Sequence, residues 1–147
     1  MNDEQTRKPD PRISVRMPAR ISTIDPETEP LTGERFFRAS SETCANVSRG
    51  GAFVSMRETI PAGRRLLVEL EIPGGDTVQA IGRVVWVQTK MASELPAGNA
   101  PTSGIGIQFV GGARQDLQAL EQFLSRTIRR RQIGADVRPR VASSQQS

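Results

Sequence analysis

A chain of 147 residues, 36% hydrophobic and 24% charged, fits one compact domain with tails better than two domains. It contains no histidine, which removes the commonest general base and metal ligand and so argues against zinc and Ser-His-Asp chemistry; its lone Cys44 has no internal disulfide partner and no imidazole to activate it, so it reads as a small buried hydrophobe. The net charge of +4 is localised: residues 1–50 hold eight cations and eight anions and residues 51–113 five of each, whereas 114–147 hold seven Arg against three acids, so no basic stripe of the nucleic-acid-binding kind runs through the body.

Residues 1–11 are polar and contain Pro9 and Pro11, which resist both helix and central strand, and they read as an extended arm carrying Arg7 and Lys8. From Ile13 the apolar positions Ile13, Val15, Met17, Ala19 and Ile21 alternate with polar ones, the period-two pattern of a half-buried strand, with Pro18 marking an edge or a bulge. Residues 25–33 are rich in turn formers and acids and read as a loop; Glu34–Ser40, with Phe36 and Phe37, reads as a second strand.

Asn46-Val47-Ser48-Arg49-Gly50-Gly51 then packs two small hydrogen-bonding side chains, an arginine and paired glycines into six residues before turning apolar at Ala52-Phe53-Val54. Such a segment suits a ligand contact and equally an ordinary turn entering a strand, since glycine allows positive φ and close approach of another surface. After a turn at Ile60-Pro61-Ala62-Gly63, Leu66, Val68, Leu70 and Ile72 mark a further strand, and Pro73-Gly74-Gly75-Asp76 reverses the chain.

Thr77–Gln88 places Val78, Ala80, Gly82, Val84 and Trp86 on one face and Ile81, Val85 and Val87 on the other, which predicts burial on both faces and a bulge or bend at Gly82. Residues 89–103 read as a long mobile loop, and Gly104-Ile105-Gly106-Ile107-Gln108-Phe109 as a last strand whose glycines mark a close approach. Arg114–Arg131 reads as a helix with the apolar stripe Leu117, Leu120, Leu124 and Ile128, able to cover one mouth or side of the sheet. Arg126, Arg129, Arg130 and Arg131 crowd its expected end, where cations complement the helix dipole or, as the alternative, form a partner-binding patch, and residues 132–147 read as a disordered tail. No run of about 18 apolar residues and no charged-then-apolar start is present, so a cytoplasmic protein is expected. Short strands followed by one helix describe an antiparallel barrel or sandwich with a helical lid, and the scattered acids offer no paired acid/base arrangement, so no enzyme is expected.

Two polar clusters stand out in this order: Arg7-Lys8 with Arg12, and Asn46-Val47-Ser48-Arg49-Gly50-Gly51. Guanidinium groups give planar, bidentate contact to phosphate or a guanine edge, so the set suits a compact anionic nucleotide. The ordered pair resembles the PilZ domain family, whose signature joins an Arg-Arg-x-x-x-Arg arm to an Asp/Asn-x-Ser-x-x-Gly turn. The likeness extends through Gly82-Arg83-Val84-Val85-Trp86-Val87 and Gly104–Phe109 over roughly residues 7–130, and the Asn46–Phe53 version is similar to the motility-associated subgroup.

The resemblance implies a six-stranded antiparallel β-barrel with a C-terminal α-helix packed on it: an arm over 1–11, one domain over 12–131 with its helix at 114–131, and the tail. It further implies that the chain binds cyclic di-GMP without any cofactor or metal and relays that binding to a protein partner, with a homodimer as one arrangement. Arg7, Lys8 and Arg12 would grip phosphate and stack on or hydrogen-bond guanine, Asn46 and Ser48 would meet guanine and phosphate, and Arg49, Gly50 and Gly51 would complete the turn around the ligand. Lys8 departs from the family pattern, because lysine reproduces neither the fork nor the planar stack. Arg16 repeats the spacing from Arg12 but lies within the alternating strand. Some members of the family bind no ligand and act as protein-interaction modules, the alternative that Lys8 leaves open.

Overall fold

The structure, a computed structural model, describes residues 12–89 and 103–146, with side chains through Gln132. Among the described residues eight strands precede one helix: β1 (Ile13–Thr23), β2 (Glu27–Thr28), β3 (Arg35–Phe36), β4 (Ala39–Val47), β5 (Gly51–Ser55), β6 (Arg65–Glu71), β7 (Thr77–Thr89), β8 (Ser103–Gly111) and α1 (Arg114–Gln146). Six of the strands close into a barrel in the order β1-β4-β5-β8-β7-β6, every neighbouring pair antiparallel. Closure leaves the barrel without a free edge, and the alternation written into β1 and β6 decides which side chains face inward. Met17, Ala19 and Ile21 of β1 and Leu66, Val68 and Leu70 of β6 are buried in one core cluster with Val54, Val78, Val84, Ile105 and Ile107.

Pro18 sits beside a bulge between Ser14 and Met17, opposite Thr43 of β4, and β1 pairs with β6 only from Ala19 onward, so its missing N–H leaves the β6 ladder uninterrupted. The second strand lies later than the sequence suggests. Only Arg35–Phe36 of the expected Glu34–Ser40 run is extended as β3, pairing with β2 in a small separate hairpin, and the barrel strand is β4, which begins at Ala39. Its apolar signal is sparse, with Cys44 and Val47 its fully buried side chains, so pairing to β1 and β5 rather than hydrophobic pattern holds it. Burial raises the pKa of the Cys44 thiol to about 12, against a smaller opposing effect of the Asn46 backbone, which agrees with a packing role.

Burial of β7 on both faces is not observed. Val78, Ala80 and Val84 are buried, but Ile81, Val85 and Val87 are exposed, on side chains that do not join the core cluster to which α1 adds its stripe. Trp86 also leaves the face assigned to it: a register shift between Val84 and Trp86 adds a residue and reverses inside and outside. A second shift lies between Ile81 and Gly82, but its extra residue is Val110 on β8, since Ile81 pairs with Gly111 and Gly82 with Phe109; the bulge expected at Gly82 is therefore carried by the neighbouring strand.

The stripe of α1 inserts Leu120, Phe123 and Leu124 into the core cluster, with Ala119 and Ile128 packed beside it. At the start of the helix, Asp116 accepts a hydrogen bond from the Gln79 backbone of β7 at 2.9 Å. The helix continues past the expected end at Arg131 to Gln146, since a packing stripe marks where a helix is held and not where its backbone bonding stops. Arg126, Arg129, Arg130 and Arg131 therefore lie mid-helix, and the helix dipole, whose influence is confined to the last turn, does not account for them. The expected mobile loop falls mostly on residues 90–102, and the tail's side chains on 133–147, both outside what is described.

Candidate functional site

The two clusters meet because β1 and β4 are neighbours. Ile13 pairs with Val47 and Ser14 with Asn46, so the residue just before β1 comes to the end of β4. There Arg12 Nη1 donates to Asn46 Oδ1 at 3.1 Å, joining positions 34 apart in the chain. Arg12 is exposed and Asn46 half-buried, which leaves the guanidinium facing solvent at the barrel end. Arg7 and Lys8 lie outside the described residues.

Beyond Asn46 the chain turns through Ser48, Arg49 and Gly50. The Ser48 N–H donates to the Gly51 carbonyl at 2.8 Å, the Gly50 N–H donates to Ser48 Oγ at 3.2 Å, and Ser48 Oγ donates to the Gly51 carbonyl at 3.4 Å. Ser48 is 7% exposed, so its hydroxyl serves first to hold the turn. The Gly50 carbonyl accepts from the Phe109 N–H at 2.8 Å, tying the turn to β8. Neither Gly50 nor Gly51 has positive φ. Gly51 is required for another reason: a Cβ there would run into the carbonyl oxygen of Ile107 on the adjacent strand. Arg49 projects from the turn at 65% side-chain exposure and reaches Glu121 Oε2 of α1 at 3.4 Å.

The helix thus belongs to the same end of the barrel. Arg131 Nη2 donates to the Ser14 carbonyl at 2.8 Å, on the residue paired with Asn46. Sequence reasoning noticed the arginines of α1 but assigned them to the helix dipole. The contacts that bring α1 to the turn and to β1 span 72 and 117 residues, and only closure of the barrel with its helical plug sets such separations. Arg16 is exposed on β1 within the Ser14–Met17 bulge. No group of three or more Cys, Asp or Glu able to hold a metal ion occurs among the described residues.

An arm residue hydrogen-bonded to the Asn of an Asn-x-Ser-x-x-Gly turn, at one end of a closed six-stranded barrel, is a specific arrangement, and the sequence matches the PilZ domain over residues 6–126. The chain belongs to the PilZ domain family.

Solved structures agree on this PilZ fold. The PilZ domain with c-di-GMP of YcgR from Escherichia coli superposes with a TM-score of 0.60 at 13% identity, covering 88% of this chain and 98% of that one. The Bacillus subtilis inhibitor of motility (MotI/DgrA) gives 0.59 at 15% identity over 85% of this chain and 53% of that one. The K. pneumonia MrkH–c-di-GMP complex gives 0.59 at 16% identity, with coverage of 86% and 54%. The chain therefore spans about half the length of the last two proteins. Comparison with curated protein sequences returns no match. Among the described residues no helix is long and apolar enough to cross a membrane.

Proposed function

We propose that this PilZ domain is a non-enzymatic cyclic di-GMP receptor that works in the cytoplasm and passes ligand binding to a protein partner, with surface motility as a candidate process. The observation that carries the reading is the 3.1 Å contact from Arg12 to Asn46, which puts the last arm cation beside the turn that completes the motif. The arm cations Arg7, Lys8 and Arg12 would close on the phosphates and guanine, Asn46 and Ser48 would meet the guanine edge and phosphate, and Arg49, Gly50 and Gly51 would border the ligand. Ligand would draw Arg12 from Asn46, leaving each group to a charge-assisted or base-edge contact. Two of the fold neighbours are described with bound c-di-GMP, in support.

Calorimetric titration with cyclic di-GMP tests the proposal. Binding is expected, with Arg12→Ala weakening it about tenfold or more, as the loss of a charge-assisted contact requires, and Lys8→Arg holding or improving it. No heat and no thermal shift at large ligand excess would sink the reading. Such silence would favour the alternative, a ligand-free interaction module, to which Lys8 and the use of the Ser48 hydroxyl inside its own turn lend support. In that case a partner would be retained without nucleotide and irrespective of Arg12→Ala.

A further inference from the structure

A groove of ≈ 780 Å³ runs between Arg49 of the turn and one side of α1, a size within the roughly 300–1,000 Å³ range of small-molecule sites. Its helical wall presents Glu121, Gln122, Ser125, Arg126 and Arg129, residues that recur at three- and four-residue spacing and so share one stripe. Three guanidinium groups, those of Arg49, Arg126 and Arg129, stand there against the single carboxylate of Glu121, an excess of two positive charges. Arg126 and Arg129 are both exposed and make no ion pair among the described residues, whereas Arg49 is held at 3.4 Å by Glu121. That pair is loose and solvent-exposed on both sides, at 65% and 47%, so a phosphate that binds two or three guanidinium groups at once can replace the carboxylate.

The groove also adjoins the site already described. Glu121 contacts the turn and Arg131 contacts the Ser14 carbonyl beside Asn46, so the helix between them, about 15 Å long at 1.5 Å per residue, crosses this end of the barrel. We infer that α1 is the second wall of the ligand site: Arg126 and Arg129, joined by Arg49 once it leaves Glu121, receive one phosphate of a cyclic dinucleotide whose other phosphate lies at Arg12 and Asn46. The inference rests on the cyclic di-GMP reading. It gives the mid-helix arginines a ligand-facing role that neither the motif nor helix capping supplies.

The test is calorimetric titration of the full chain with cyclic di-GMP. The variant Arg126→Ala/Arg129→Ala should bind at least tenfold more weakly, while Arg114→Ala/Arg130→Ala, which removes the same charge from exposed positions off the groove, should bind within twofold of the unaltered chain. Glu121→Gln should bind more tightly, because the ligand no longer competes with a carboxylate for Arg49. All four arginines are exposed, so unchanged thermal unfolding is expected and confirms that each variant is folded. If Arg12→Ala loses binding but Arg126→Ala/Arg129→Ala does not, this inference is overturned and the receptor reading stands. If both double variants weaken binding alike, the effect is general charge and the inference falls. A silent titration of the unaltered chain removes both.

Discussion

Phe53 and Trp86 stack on the outside of the barrel, their ring centroids 5.2 Å apart and their planes at 14°, and both residues are register partners of Gly106 on the strand between them. The rings lie over β8, whose Gly104 and Gly106 leave the space: a Cβ at 104 would meet the Phe53 ring and one at 106 the Trp86 indole. This is the close approach that the glycines of the last strand signalled. Offset-stacked aromatics are worth about 0.5–1.5 kcal/mol beyond their burial.

Gly106→Ala should therefore displace Trp86 and cost about 1–3 kcal/mol, the usual range for an overpacked site. Trp86 is the chain's one tryptophan, so its emission reports the event directly. A red-shifted spectrum and a lowered unfolding midpoint are expected. Unchanged emission would mean that the indole does not rest on Gly106.

The β2–β3 hairpin is fastened by Arg38, whose guanidinium grips both carboxylate oxygens of Glu27 at 2.6 and 2.9 Å and donates to the carbonyls of Glu58 and Thr59. Among the described residues Glu27 is the one charged residue that is buried. Arg38→Ala should cost about 2–4 kcal/mol in denaturant unfolding, less than for a fully enclosed pair because the Arg38 side chain is 25% exposed. Arg38→Lys should recover only part of it, since lysine cannot make the two-pronged contact. Full recovery would contradict the geometry.

Gly51→Ala should lower the stability of the ligand-free protein, by about 2 kcal/mol or more, because the new methyl meets the Ile107 backbone rather than a side chain that can move aside. Thermal unfolding without nucleotide is the measurement. Native stability in this variant would show that the glycine is needed only when a ligand approaches.

Asp25 accepts hydrogen bonds from the Arg65 guanidinium and backbone, which lower its pKa from 3.8 to about 2. A carboxylate with a depressed folded-state pKa stabilises the fold above its unfolded value and loses that contribution as pH falls through the folded one. The difference in unfolding midpoint between the parent chain and Asp25→Asn should accordingly be largest above about pH 4, shrink as pH falls, and disappear only below about pH 2. A difference independent of pH would assign the effect to packing instead of charge.

Much of the fold was legible because strand alternation is a local property. Ile13–Ile21 and Leu66–Leu70 advertise their inward faces within a few residues, and the core uses those faces. β4 was misplaced because Ser40, Ser41 and Thr43 carry little apolar signal, and its extended state comes from two neighbours distant in sequence. Trp86 was put on the wrong face because one bulge inverts everything after it, and a bulge is visible only when both strands are seen together.

At the site, sequence alone determined which chemical groups are available: the arm cations, the Asn46–Gly51 turn, the absence of histidine and the arginines of the last segment. Residue types and short spacings are sufficient for that, since a turn is built from its own neighbours. The tertiary structure decided how those groups are used. It joins Arg12 to Asn46 through the β1–β4 register, occupies the Ser48 hydroxyl within its turn, gives Gly51 to the Ile107 carbonyl and carries Glu121 to Arg49. Each of these, the Ser48 turn apart, depends on where a distant strand or helix comes to lie, and closure of the barrel with α1 in its core sets those positions.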